Sequence, residues 1–278
     1  MNKVLVLGAN GSLGKAICKE LANNKIIYFG QTRSKKNKFF SDFIDKKNFL
    51  KLLNTIKPNI VINTISNIDV DECENDKFKC FNDNILTAHI VSSVCGLKKI
   101  KQIYISTDQV YSNTGASKEK NANPLNNYGR SKIIAERFVL KNKGSVLRVN
   151  FIHKDKKLRT FHDKIINKKI NKIFLYKNIF FNPLHISTLA NIIVQNLNSF
   201  NCDAYNIGSK NKISKKDFIV KICNILKLKR KFKSVNYSSK IIPRPLDMTM
   251  NISKICRLLK NKKYDVNEEI HKLCKEYI

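Results

Sequence analysis

The sequence predicts an α/β fold, a Rossmann-type doubly wound parallel sheet with a smaller C-terminal α/β region. Three observations carry this expectation. Apolar strand-like runs alternate with helix-period segments through residues 1–150. One run, "NIVINTI" (59–65), is almost wholly apolar, as a parallel strand covered on both faces must be. Three of the 9 glycines, Gly8, Gly11 and Gly14, fall where the first strand passes into the first helix.

The elements follow in order. "KVLVLG" (3–8) is a strand, then a helix spans 12–23. "KIIYFG" (25–30) is the second strand, and a short third strand around "KFFSDF" leads into a helix over 46–56. The apolar strand 59–65 precedes a helix over 77–95 and the strand "QIYIST" (102–107). A helix over 127–141 and the strand "SVLRV" (145–149) close the alternating half. Beyond it the pattern is less regular. Helices are expected near 159–169, 187–198, 214–226 and 266–277, with short strands near 173–176 and 204–207.

With 278 residues the chain can form one large domain or two small ones, and 42% hydrophobic content supports a packed core. It has no apolar run of membrane-spanning length. The start "MNKVLVLGANGSLG" has too short an apolar run for a secretory signal, so a soluble cytoplasmic protein is expected. The net charge of +32, from 53 Lys+Arg against 21 Asp+Glu, invites a nucleic-acid reading. The basic runs are scattered, mostly lysine, and unaccompanied by zinc-finger or aromatic RNA-binding motifs. A solvated surface is therefore expected, with no specific nucleic acid as partner, and with a field that attracts anions as a secondary role. No two of the 8 cysteines have C-x-x-C spacing, so free thiols are expected. The acidic run "DVDECEND" (69–76) lacks the glycine of a calcium loop, and the 5 histidines show no ligand spacing, so no metal is expected. Acids there would instead favour the N-terminus of the helix over 77–95.

"VLGANGSLG" has the context of a dinucleotide fingerprint, spaced G-x-x-G-x-x-G. Gly8 permits a tight turn, Gly11 a close approach of backbone to pyrophosphate, and Gly14 close helix packing; the helix N-terminus favours the phosphates. A sheet that binds NAD usually carries an acid at the end of the second strand. Here no Asp or Glu occurs between Glu20 and Asp42, and the strand runs into "GQTRSKK". Arg33, with Thr32 and Ser34, suits a 2′-phosphate, so NADP(H) is favoured and NAD(H) is the alternative.

Tyr128 and Lys132 form one Tyr-x-x-x-Lys pair in a chain with 9 Tyr, no more than chance supplies. Their place decides. They open the helix after "STDQVY", whose Thr107 emerges at the sheet edge where ligands of such folds bind. Positions i and i+4 share a helix face, and a cation near a phenol lowers its pKa toward the range useful for proton transfer.

At these motifs the chain resembles the extended short-chain dehydrogenase/reductases, and within them dTDP-4-dehydrorhamnose reductase and its sugar-nucleotide-binding relatives. The resemblance runs through the glycine motif, "DFIDKKNFLKLLNTIKPNIVINTISNIDVDECE", "NDNILTA", "STDQVYS", "NNYGRSK", "VLRVNFI", "NPLHISTLA", "YNIGS" and "PRPLDMTMNISKI". It implies that Thr107 polarises a substrate carbonyl, Tyr128 gives its oxygen a proton, and Lys132 holds the nicotinamide ribose. Gly8, Asn10, Gly11, Ser12, Leu13 and Gly14 would meet the pyrophosphate, Asp42 and Phe43 the adenine, and Thr64, Ile65 and Ser66 the cofactor cleft. Asp108, Phe151 and Arg244 are candidates for the sugar nucleotide, with Arg244 suited to a diphosphate. Asn84 stands at a structural helix asparagine. The implied division is a cofactor-binding domain at 1–150 and a mainly substrate-binding region at 151–278, with roughly 182–210 returning to the first.

The implied activity is reduction of the 4-keto group of a nucleotide-linked deoxysugar by NADPH, for cell-surface polysaccharide; a homodimer stays open. Leu7 in place of the usual Thr, Asn67 in place of an aromatic residue and Phe151 in place of Trp put the particular sugar in question. Gln109 stands where related 4,6-dehydratases carry a glutamate base, which argues against dehydration. The alternatives are a nucleotide-sugar epimerase of the same fold and a non-catalytic NADP-binding regulatory subunit.

Overall fold

A computed structural model describes residues 2–32, 45–112, 115–169, 173–238 and 242–278. The third strand expected around "KFFSDF", and the candidates Arg33, Asp42 and Phe43, lie outside the described residues.

The first half runs β1 (Lys3–Leu7), α1 (Ser12–Asn23), β2 (Ile27–Gln31), α2 (Lys46–Ile56) and β3 (Ile60–Asn63). Then come α3 (Val70–Asn75), α4 (Lys77–Cys80), a π-helical turn over Phe81–Leu86, and α5 (Thr87–Leu97). Next are β4 (Lys101–Thr107), a 3-10 turn over Asp108–Val110, α6 (Asn127–Lys141) and β5 (Ser145–Val149). The second half runs β6 (Phe151–Ile152), α7 (Phe161–Ile166), β7 (Phe174–Tyr176), β8 (Phe180–Phe181), β9 (Leu184–His185) and α8 (Ile186–Gln195). It ends with β10 (Ala204–Ile207), β11 (Ile213–Ser214), α9 (Lys215–Ile225), β12 (Lys233–Val235), α10 (Ser253–Leu258) and α11 (Val266–Lys275).

Among the described residues the main sheet has the order β10-β5-β4-β3-β1-β2, and every pairing in it is parallel. This is the Rossmann-type sheet the alternation predicts. The chain leaves β1 toward β2 and returns to place β3 on the other side, so a crevice opens beyond Leu7 and Asn63. β10 comes from the second half and adds to β5, with Ala204 opposite Val146.

Both sheet faces are covered. Val4, Val6, Ile62 and Ile105 pack with Leu13, Ile17 and Leu21 of α1 and with Leu189 and Ile193 of α8. On the other face Leu5, Leu7 and Val61 pack with Phe49 and Leu53 of α2 and Val91 and Val94 of α5. Each such fully buried aliphatic side chain stabilises the fold by about 1.5–3 kcal/mol. A separate core joins β6, β7 and β8 to α9 and α11, through Ile152, Leu175, Phe181, Phe218, Ile270 and Leu273.

Below the site, Glu136 of α6 accepts from Arg148 of β5 at 2.6 Å and from Ser106 of β4 at 2.5 Å. Arg148 also donates to Tyr111 (2.8 Å), whose hydroxyl donates to Asn206 of β10 (2.6 Å). This buried pair locks α6 to three strands. Removing one partner of such a pair costs about 3–5 kcal/mol.

The acids of "DVDECEND" do local work. Asp69 caps α3, accepting from Asp71 and Glu72 amides at 3.0 Å each, and Asp76 caps α4. Glu72 pairs with Lys79, Asp71 with Arg244, and Glu74 accepts from Asn127. The helix N-terminus they serve is therefore first that of α3, one turn that the sequence reading merges into loop. All eight cysteines are free thiols; six are buried, Cys18 is partly exposed and Cys202 exposed. Among the described residues no helix is long and apolar enough to cross a membrane.

Candidate functional site

The glycine turn closes the crevice at the end of β1. Gly8 has φ +79°, in the left-handed region, and a Cβ there would lie 2.7 Å from Thr64 Oγ1. A Cβ on Gly14 would lie 2.9 Å from Ala9 Cα and press on the Gly8 carbonyl, so only glycine lets α1 approach the turn. Gly11 caps α1 without a side-chain hydrogen bond, which leaves the leading amides of α1 to an external acceptor. Asn10 and Gly11 are exposed beside a cleft of about 240 Å³. Gln31, Thr32, Thr64, Ile65 and Ser66 line its other walls. Leu13 belongs to the sheet core, so toward a ligand it offers backbone only.

The opposite lip is residues 64–67. Thr64 donates to the Leu7 carbonyl from its amide (3.1 Å) and its hydroxyl (2.7 Å). Asn84 then holds the next two residues. Its Oδ1 accepts from Ser66 Oγ (2.9 Å) and the Asn67 amide (2.7 Å). Its Nδ2 donates to the Asn67 carbonyl and to Ser131 Oγ, both at 3.0 Å. Ser131 in turn donates to the Tyr128 carbonyl at 2.7 Å. Asn84 lies in the π-helical turn, a form that recurs at functional sites, and from there ties the lip to α6.

α6 is set by Asn126, which accepts from the Gly129 amide at 2.9 Å. A Cβ on Gly129 would lie 2.8 Å from Pro124 Cβ and against the Gln109 carbonyl, so α6 abuts the turn that follows Thr107. This brings Tyr128, Thr107 and Ser66 together. The Tyr128 phenol is buried, and the side chains of Thr107 and Ser66 are near enough to act on its proton affinity. Lys132 is 1% exposed, and its ammonium donates to the Ile105 carbonyl at 2.8 Å and toward Ser66 at 3.4 Å. It also rests over the Tyr104 ring, 4.2 Å from its centroid.

The electrostatics differ from the sequence expectation. Burial pushes the Tyr128 phenol above its ordinary value, only partly opposed by the hydroxyls of Thr107 and Ser66. The ammonium of Lys132 is turned to Ile105 and Ser66 and is itself desolvated, and burial outweighs it. Burial holds Lys132 down to about 7, with Glu136 opposing. A neutral phenol is the form that can give a proton away.

The candidates for sugar recognition are more dispersed. Asp108 is buried, accepts from Thr107 (3.1 Å) and pairs closely with Asn150; burial raises its pKa. Phe151 is half-buried and its ring lies 5.6 Å from that of His153. Arg244 sits on the rim, donating to Asp71 at 2.6 Å. Three contributors escape a reading by motif: Ser131, Asn150 and Lys215. Burial holds Lys215 down to about 8 with Asp108 opposing, yet by sequence it is one lysine among dozens. Among the described residues no cluster of His, Cys, Asp and Glu could hold a metal ion.

A parallel sheet with a glycine turn at its switch point, and a Thr–Tyr–Lys set on the adjoining strand end and helix, defines an extended short-chain dehydrogenase/reductase scaffold. Within it the family is shown by a match along the whole chain: the model of the RmlD substrate binding domain covers residues 1–278, and the chain belongs to that family. The chain is 28% identical over 160 residues to methionine adenosyltransferase 2 subunit beta of Xenopus tropicalis, covering 55% of this chain and 48% of that one. It is 27% identical over 158 residues to the spore coat polysaccharide biosynthesis protein SpsK of Bacillus subtilis, covering 55% and 54%. The chain thus spans about half the length of the curated relatives it matches. The fold is similar to that of dTDP-4-dehydrorhamnose reductase from Bacillus anthracis, solved in complex with NADP, with a TM-score of 0.87, 23% identity and 99% of each chain covered.

Proposed function

We propose that the protein reduces the 4-keto group of a nucleotide-diphosphate-linked deoxysugar, using NADPH, in the synthesis of a cell-surface polysaccharide. The observation that carries this reading is the packing of α6 against the turn after Thr107, which sets the buried Tyr128 beside Thr107 and Lys132 against Ser66. The cleft suits a dinucleotide: a Cβ on Gly8 would meet Thr64, and the uncapped amides of α1 suit a pyrophosphate. Gly8 to Gly14 and Thr64 to Ser66 would hold it, with Arg33, Asp42 and Phe43 assigned to its adenosine end by resemblance alone. Bound there, NADPH supplies hydride to the carbonyl carbon. Thr107 turns its hydroxyl hydrogen from Asp108 to the carbonyl oxygen and draws charge toward it. Tyr128 passes its phenolic proton to that oxygen as charge develops. Lys132, fixed by Ile105, presents its remaining N–H groups to the ribose. Asp108 and Phe151 face the sugar nucleotide, and Arg244 exchanges Asp71 for a diphosphate. Residues 1–150, with about 182–210 returning, form the cofactor-binding unit, and the remainder the substrate-binding region.

The test is NADPH oxidation against dTDP-, UDP-, GDP- and CDP-linked 4-keto sugars. One nucleotide series is expected to be turned over. Tyr128→Phe is expected to lower kcat roughly 100- to 10,000-fold while NADPH binding stays within about twofold. A Tyr128→Phe protein as fast as wild type sinks the reading. The likeness to a subunit of methionine adenosyltransferase 2 favours a second reading, a non-catalytic subunit of a larger enzyme. NADPH binding without turnover of any sugar in the panel, together with co-purification of a larger enzyme, would establish it instead.

A further inference from the structure

Two basic runs far apart in the sequence meet on the lobe that holds α7, α9 and β12. The first follows α7 and exposes Lys168 and Lys169; the second, "KLKRKFK" (227–233), joins α9 to β12. The second run is anchored at alternate residues. Leu228 packs on the core shared by α9 and α11, and Arg230 donates to the last carbonyls of α7, to Ile165 at 3.0 Å and Ile166 at 2.9 Å. Around these anchors Lys227, Lys229, Lys231 and Lys233 are exposed. β12 then lies beside β7 with Lys233 opposite Phe174, so the cations border two apolar rings. Those rings, Phe174 and Phe232, are 48% and 39% exposed. Neither segment carries an exposed acid: residues 160–181 hold only Asp163, which is wholly buried, and residues 226–242 hold none.

We propose that this face is a docking surface for an anionic lipid bilayer, with its lysines among the headgroup phosphates and Phe174 and Phe232 entering the interface between them. The inference stands apart from the reductase reading and holds or fails without it. Charge attraction and apolar insertion together are what keep a protein on a membrane it does not span. Lysine suits the task, because its apolar stem lies along the interface while the ammonium stays in the headgroup layer. Each lysine near an anionic surface strengthens attachment about fivefold, and clusters of about 4–8 are what such attachment uses. Lys168, Lys169 and the four exposed lysines of the second run reach that number. A nucleic acid fits less well. Gripping its phosphates and bases favours the planar fork of arginine. Arg230 has Nε and Nη2 engaged on α7 and Nη1 on the Lys229 carbonyl at 3.1 Å.

The test is co-sedimentation at about 0.1 M salt with phosphatidylcholine vesicles, pure or containing about one-third phosphatidylglycerol. Wild type is expected to partition onto the mixed vesicles at least about tenfold more strongly than onto the neutral ones. Lys229→Gln/Lys231→Gln/Lys233→Gln is expected to lose about 100-fold. Lys19→Gln/Lys47→Gln/Lys51→Gln makes the same change of charge on α1 and α2 and should lose less than about threefold. Phe232→Ser, which leaves the charge untouched, should lose about fivefold. NADPH binding by all three variants should stay within about twofold, which separates a lost surface from a lost fold. Equal partitioning of wild type onto both vesicles overturns the proposal, and so do equal losses from the two triple variants. Tight binding of an RNA of about 20 nucleotides at about 0.15 M salt, by a protein that does not sediment with the anionic vesicles, overturns it in favour of nucleic acid.

Discussion

Lys132 carries a cost that its position explains. Its ammonium is buried at the meeting of β4, the 64–67 lip and α6, where Ile105 and Ser66 supply acceptors but water does not enter. A pKa brought down from 10.5 to about 7 means that folding must desolvate a charge at any pH below 7, a penalty on the order of 5 kcal/mol. The sign follows from proton binding. Below 7 both folded and unfolded chains hold the proton and the penalty is constant. Between 7 and about 10.4 the unfolded chain still holds it and the folded one does not, so stability rises with pH. Urea unfolding of wild type and Lys132→Met at pH 7 and pH 9 is expected to show wild type gaining about 2 kcal/mol on the variant over that interval. Equal pH responses would mean that Lys132 is not desolvated. At this scale the site was half legible. Thr107, Tyr128 and Lys132 stand at positions that motif order can pick out. Their electrostatics could not be read, because burial outweighs the neighbouring cation at Tyr128, and burial is a property of the packed fold. Asn150, Ser131 and Lys215 carry no spacing signal at all.

Helix ends give six of the lysines a conformational role. α1, α5, α6, α7, α9 and α10 each run into a left-handed lysine: Lys25, Lys99, Lys143, Lys168, Lys227 and Lys260, with φ between 53° and 60° except Lys227 at 52°. Each closes a Schellman pair of hydrogen bonds. After α5 the Lys99 amide donates to Gly96 (3.1 Å) and the Ile100 amide to Cys95 (2.9 Å). Glycine is the usual occupant. A lysine there bears a left-handed cost of about 1–2 kcal/mol, offset in part by its charge at the negative helix end, about 0.3–1 kcal/mol. Lys99→Gly is therefore expected to stabilise the protein by roughly 0.5–1 kcal/mol, and Lys99→Ala to destabilise it by a few tenths. The order Gly, Lys, Ala in urea midpoints is the check, and Ala at or above Gly would refute it. The long helices were legible for a related reason. α1, α2 and α6 have an unbroken apolar period, and their bounds match the sequence reading residue for residue. The one-turn helices α3 and α10 and the two-residue strands β6, β8, β9 and β11 are too short to display a period. The π turn that aims Asn84 leaves no mark on the pattern either.

The net charge of +32 is legible at once, but its meaning depends on where the sheet places it. Helices of such a fold run antiparallel to the strands, so their C-termini lie at the edge where strands begin. Lys25, Lys57, Lys99 and Lys143 accordingly sit just before β2, β3, β4 and β5. The glycine turn, Thr107 and the acidic residues Asp69 to Asp76 lie beyond the other edge. Strands of four to seven residues separate these cations from the cleft by roughly 15–25 Å, at about 3.3 Å per residue. That distance exceeds the Debye length of about 8–10 Å at 0.1–0.15 M salt but not the ~30 Å at 0.01 M. These lysines can steer an anionic dinucleotide or sugar nucleotide in dilute buffer and are screened from it at higher salt. KM for either ligand is expected to rise severalfold from about 0.01 to 0.1 M salt and then level off, with kcat within about twofold throughout. A KM that keeps climbing well beyond about 0.15 M would place the decisive cations inside the cleft. A KM indifferent to salt would leave the charge no part in binding. The plateau is the outcome expected of these lysines, because they sit at the edge where the strands begin and the groups that meet the ligand do not.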